Sequence, residues 1–142
     1  MSIDSLGALN WLAVIAGGVV YFVLGALWYS PILFGRAWQA AIGWDPDRAP
    51  PQMSPTSYVV PLIGYLGMSV AVGFLAAGSA TDTIGEGVTL GVVVAIGLSL
   101  MQTLVSATFD PNLKRKWTWF WITGSYNAVG LMVVAIIVAV WR

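Results

Sequence analysis

The chain has 142 residues, 58% of them hydrophobic and 8% charged, and its formal net charge is zero. Soluble domains carry roughly 25% charged residues, so six basic and six acidic side chains leave this chain too little charge for a water-facing surface, and their balance gives nucleic acid no field to follow. With no cysteine and no histidine, disulfides, thiolate nucleophiles, sulfur- or imidazole-bound metals and haem, and Ser-His-Asp catalysis are excluded, so neither a cofactor nor an enzymatic activity is expected.

A membrane-crossing helix needs about 20 mostly apolar residues. Four stretches meet that length, at about 8–28, 58–80, 87–109 and 117–141, and Arg, Lys, Asp and Glu are missing from all four. The start of the chain lacks the basic segment of a secretory signal, so the first stretch is read as a retained span. The expected fold is all-α: an integral membrane four-helix bundle in one membrane domain over 1–142.

Connection 30–57 is the long one. Ile32, Phe34, Ala37, Trp38, Ala41 and Ile42 share a broad face of a short helix, which is predicted to lie in the headgroup layer. Pro46, Pro50, Pro51 and Pro55 then forbid a regular element before the second span. That span carries Pro61 in its expected first turn, where a missing N–H matters least.

Loop charge predicts orientation. Arg36, Arg48, Lys114, Arg115 and Lys116 fall on one side; Arg142 stands with Asp4, Asp82 and Glu86 on the other. Short basic connections stay in the cytoplasm, so 30–57 and 110–116 are expected there, with both termini outside an inner or plasma membrane. Arg36, Lys114, Arg115 and Lys116 are candidate contacts for anionic lipids. Trp28, Tyr29, Trp117, Trp119 and Trp121 at the inner boundary, and Trp11 and Trp141 at the outer one, read as interfacial anchors. Asp110 reads as a helix-ending turn neutralised by the bases that follow.

Inside lipid, helices associate through small residues that let backbones approach. The third span carries an unbroken row at spacing four, Gly87, Gly91, Ala95, Ser99, Thr103 and Ala107, which predicts either the central packing helix, a subunit interface or the wall of a path. Shorter sets are Ser69, Gly73 and Ala77 with Gly67 and Ala71 in the second span, and Ala13, Gly17, Gly18 and Gly25 in the first. The amides Asn10, Gln102 and Asn127, with Ser125 and Tyr126, are expected to bond between helices. As a candidate binding cluster, Gln102, Thr103, Ser106, Thr123 and Asn127 lie at depths that would let them surround a small polar ligand. No carboxylate lies within a span, which argues against a proton-coupled antiporter.

The most distinctive motif is Asn10, then Trp28-Tyr29-Ser30-Pro31, Phe34-Gly35 and Trp38. In these eight positions the chain resembles a bacterial family of small four-span membrane proteins, domain-of-unknown-function family 1761, and the four-span layout extends the resemblance along nearly the whole chain. The resemblance implies a membrane protein without an assigned activity. A shorter internal echo, Ser30-Pro31 with Arg36 and Trp38 against Asp110-Pro111 with Arg115 and Trp117, would place spans one and three in equivalent positions if it reflects a duplicated hairpin. Two functions stay open: an oligomeric or accessory subunit acting through packing surfaces, or an uncoupled transporter or channel for a small neutral or amphipathic solute.

Overall fold

A computed structural model of the chain describes residues 7, 9–45, 47–48 and 53–141. Asp4, Ala8, Pro46, Pro50, Pro51 and Arg142, named above, lie outside the described residues. The elements are α1 (Trp11–Trp28), α2 (Gly35–Ala41), α3 (Thr56–Gly78), α4 (Ile84–Phe109) and α5 (Lys116–Val140). The four long helices are each long and apolar enough to cross a membrane. Large apolar side chains such as Leu12, Val23, Ile63 and Leu98 stand exposed along them, as expected where hydrocarbon is the surrounding medium.

Local chemistry sets the helix starts. Asn10 accepts from the backbone N–H groups of Leu12 and Ala13 at 3.0 and 3.2 Å and so caps α1. It does not reach a neighbouring helix, because its position just ahead of the first turn puts orphan amides closer than any other partner. Thr83 and Glu86 form a reciprocal capping box on α4: the Thr83 hydroxyl accepts from Glu86 N–H at 3.2 Å, and the Glu86 carboxylate accepts from Thr83 N–H at 3.2 Å. α3 begins at Thr56, so Pro61 sits in its second turn, one turn later than expected, and offers no N–H to the Ser57 carbonyl.

The last helix, not the third span, is the centre of the bundle. α1, α2, α3 and α4 all pack on α5, and α1 packs also on α3, whereas α4 packs closely on α5 alone. Half of the α5 span is buried against 22% for α4. Spans one and three are therefore not equivalent, and the duplicated-hairpin symmetry is absent from the packing.

The row at spacing four is nonetheless the inward face of α4: Gly87, Gly91, Ala95, Thr103 and Ala107 are buried and Ser99 half-buried. A four-residue step in an α-helix overshoots a full turn by about 40°, which would carry so long a row off its face. The helix widens to π geometry over Val93–Leu100. There each turn holds more residues, so the same step falls short and returns the row to α5. At Gly87 an added Cβ would stand 2.9 Å from the Ala139 Cβ, and at Gly91 3.0 Å from the Met132 Cα. The row is thus used within the chain and is not free to join subunits.

α1 and α3 meet in the same way. A Cβ on Gly18 would lie 2.9 Å from the Leu66 Cα, and the buried Ser69 hydroxyl donates to the Val14 carbonyl at 2.6 Å. Gly67, by contrast, has nothing within 4 Å and faces outward, as do Gly64 and Gly97.

These glycines divide cleanly by neighbour. Gly91→Leu and Gly18→Leu are expected to destabilise the isolated chain by about 1–3 kcal/mol through overpacking, while Gly64→Leu and Gly97→Leu leave it unchanged or firmer. Unfolding midpoints in a mild detergent check this; equal losses at all four positions would contradict the packing described.

Candidate functional site

The motif after α1 is a tight reversal. Ser30 closes the helix by donating its hydroxyl to the Leu27 carbonyl at 2.6 Å, and Pro31 opens the turn. The chain then doubles back, with Phe34 N–H donating to the Trp28 carbonyl and Gly35 N–H to the Ser30 carbonyl, each at 3.0 Å. A Cβ on Gly35 would lie 2.3 Å from the Tyr29 carbonyl oxygen, so only glycine fits. Phe34 packs on Trp28 with ring centroids 5.0 Å apart, and Trp38 meets Tyr29 edge-on at 5.2 Å. Ile32 falls in the turn ahead of α2, exposed, and is not part of the helix face expected of it.

Trp28 turns inward. Its indole N–H donates to the Ile122 carbonyl of α5 at 3.1 Å, which makes it an interhelical donor rather than a lipid anchor. Trp11, Trp117, Trp121 and Trp141 are exposed.

At the bundle centre lies an aromatic cluster that sequence reasoning missed. Tyr21 stacks on Tyr65 at 4.4 Å, and Tyr126 touches Tyr21, Tyr29 and Tyr65 at centroid distances of 5.3, 5.2 and 5.8 Å. Tyr21 donates to the Asn127 side-chain oxygen at 2.8 Å, and Tyr126 donates to the Tyr21 carbonyl at 3.0 Å. Glycines make room: a Cβ on Gly130 would stand 2.1 Å from the Tyr21 ring, and one on Gly25 2.7 Å from the Tyr126 hydroxyl. The one signal in the sequence was tyrosine opposite glycine at matching depths on antiparallel spans.

The predicted polar cluster is only partly brought together. Gln102, Thr103 and Asn127 line a lateral groove of about 390 Å³ between α3 and α4, whose floor includes Asn127 and Leu131 of α5. Met68, Ala71 and Leu98 form its apolar rims. Thr103 donates to the Ser99 carbonyl and Ser106 to the Gln102 carbonyl, each one turn back on its own helix. Ser125 likewise bonds its own helix at Trp121 and Ile122. Ser106 does not line the groove, and Thr123 faces Tyr29 instead. Asn127 and Tyr126 are the polar side chains of α5 that bond between helices, as expected of them. Gln102 is exposed, and among the described residues its amide has no hydrogen-bond partner.

A second hollow, of about 500 Å³, lies at the α2 end between α1, α2 and α3. Tyr29, Trp38, Trp44, Tyr58 and Tyr65 line it with Gln39. Its walls come from three connected elements, and their convergence depends on the turn at Gly35.

The basic residues gather at this same end. Lys114 and Arg115 donate their backbone N–H groups to the Ala41 carbonyl at 2.8 and 3.1 Å, which ties the 110–115 connection to the end of α2. Arg36 approaches Asp47 at 4.0 Å and Arg48 approaches Asp45 at 3.8 Å, both as exposed pairs of little energetic weight. Asp110 accepts from Asn112 N–H at 2.8 Å, so a local turn and not the neighbouring bases holds its carboxylate.

Four long apolar helices, three of them packed on the fourth and all with apolar outward sides, define a multi-pass membrane protein. The chain belongs to the family described as protein of unknown function DUF1761, which it matches over residues 12–139. Neither a curated protein nor a solved structure matches it.

The reversal has a direct test. Gly35→Ala is expected to lower stability by about 1–3 kcal/mol, since the Tyr29 carbonyl cannot retreat without opening the turn. Ser30→Ala removes one hydrogen bond and costs about 0.5–1.5 kcal/mol. Tryptic cleavage at Arg36 and Arg48 in detergent should accelerate in the same order; a Gly35→Ala chain as resistant as the parent would refute the geometry.

Proposed function

We propose that the protein is a non-catalytic membrane subunit that receives a transmembrane helix of a second copy in the groove between α3 and α4. The observation that carries this reading is Gln102, an amide about 10 Å from the end of α4 by helix rise, on a groove wall with no hydrogen-bond partner among the described residues. An amide at that depth gains on the order of 1 kcal/mol from a neighbouring helix. Gly64, Gly67 and Gly97, unused inside the bundle, offer the small-residue surface on α3 and α4 that close helix approach needs. The same polar strip, Gln102, Thr103 and Asn127, would also serve a solute path between copies.

The absence of natural cysteine makes the test direct. Leu98→Cys, on the groove rim, is expected to give a disulfide or bismaleimide dimer in native membranes, and Val23→Cys on the outer side of α1 is not. Gln102→Leu should reduce that dimer several-fold. Dimer at both cysteine positions, or at neither, would defeat the reading. Liposome flux lost in Gln102→Leu with Asn127→Leu, without loss of the dimer, would favour the solute path.

The basic α2 end supports an orientation with that end in the cytoplasm, both termini outside, and anionic headgroups at Arg36, Lys114, Arg115 and Lys116 of a cytoplasmic membrane. An impermeant maleimide should label Leu113→Cys only after cells are opened. Labelling of intact cells would invert the topology.

A further inference from the structure

The hollow at the α2 end is separate from the groove and carries its own argument. Its volume of about 500 Å³ falls in the range that takes one small organic molecule. Its walls are set before any ligand arrives. Tyr65 is held by stacking on Tyr21, and Tyr29 by edge contacts to Tyr126 and Trp38. Trp38 meets Trp44 at 6.3 Å and 81°. The backbone at Trp44 is held by its main-chain N–H, which donates to the Gln39 carbonyl at 2.8 Å after the chain turns through Gly43 at φ +84°. Tyr29 and Trp38 at 64°, and Trp38 and Trp44 at 81°, give the hollow a continuous aromatic wall.

Charge selects the ligand class. Among the described residues, no Asp, Glu, Lys or Arg lines the hollow, so a carboxylate or phosphate finds no counter-charge within it. An organic cation would be drawn to π faces, yet with Arg36 and Arg48 each beside an aspartate, at 4.0 and 3.8 Å, the Lys114 side chain against Gly43, next to Trp44, is left as like charge at the hollow. What remains are neutral donors and acceptors. These come from Tyr58, the Gln39 amide and Ser57, whose carbonyl receives no helix N–H from Pro61. Aromatic walls with such groups suit a flat ring bearing carbonyl or hydroxyl substituents.

We propose that this hollow is a binding site for an uncharged planar aromatic head group of the quinone type. The ring lies between the Trp and Tyr walls, and its oxygens meet Gln39 and Ser57.

The test uses the full chain in phosphatidylcholine nanodiscs, titrated with 2-methyl-1,4-naphthoquinone and followed by tryptophan quenching and calorimetry, with empty discs correcting for partition. Saturable binding of one molecule per chain is expected. Tyr58→Ala, at a half-exposed side chain, and Trp44→Ala should each weaken it at least tenfold, and Ser57→Trp, which fills the space, should abolish it. Circular dichroism matching the parent confirms that each variant is folded. Benzyltrimethylammonium should bind at least tenfold more weakly than the quinone. Quenching that rises without saturation, binding untouched by Tyr58→Ala and Ser57→Trp in folded protein, or tighter binding of the ammonium probe would each overturn the proposal.

Discussion

An apolar helix in hydrocarbon gains little from touching another apolar helix, because lipid tails offer it the same surroundings. Contact has to come from close backbone approach and from hydrogen bonds that lipid cannot supply. This chain meets that condition by a reciprocal exchange between its first and last long helices. Tyr21 of α1 lies over Gly130 of α5, while Tyr126 of α5 lies over Gly25 of α1. Each phenol then bonds across the same interface, to Asn127 and to the Tyr21 carbonyl. The two rings act as keys in opposite directions, so neither helix can slide or rotate without losing both. Tyr65 brings α3 into register by stacking on Tyr21.

The remaining long helix, α4, is held differently. α4 contributes no aromatic, hydrogen-bonded key among the described residues; it rests on α5 through a row of small side chains, kept on one face by the π-widened turn, with Leu100 seated over Gly124 and Met132 over Gly91. That contact is close but one-sided, and it leaves α4 apart from α3. The lateral groove is the geometric consequence. Three helices locked by aromatic and hydrogen-bonded contacts, and a further one docked on one of them, leave a gap between α3 and α4. Gln102 and Asn127 come to share that gap because the antiparallel helices α4 and α5 place them at similar depth.

How much of this the sequence revealed follows from what lipid leaves visible. The spans, the basic connections, the short helix after the first span and the inward row of the third were legible, because length, charge and small-residue spacing mark them directly. The central role of α5 was not. In water an apolar face marks the inside, but in lipid outward faces such as that of Leu98 are as apolar as inward ones such as that of Val134, and the usual cue vanishes. Small residues announced which faces pack without saying on what, so the row of Gly87 to Ala107 suggested a hub when it is a single seam. Gln102, Thr103 and Asn127 of the candidate cluster line one groove. Thr123 and Ser106 do not; depth alone does not give the angle around a helix. The tyrosine cluster was hidden because Tyr21, Tyr65 and Tyr126 are far apart along the chain, and Tyr29 with Trp28 looked like an interfacial belt.

The reversal at Ser30 to Gly35 links the two ends of this reasoning. Without a Cβ at Gly35 the chain turns back within a few residues, and α2 is forced to lie over the end of the bundle instead of running outward. Its last carbonyl, at Ala41, then meets the amides of Lys114 and Arg115, so the connection between α4 and α5 is clasped by the connection between α1 and α3. The same turn sets Trp38 against Tyr29, and the next, at Gly43, sets Trp44 against Trp38. One compact reversal therefore closes the bundle, joins its two basic connections and builds the aromatic wall of the hollow. A loosened turn would disturb all three together, which is why the motif is dense in residues whose individual contacts look modest.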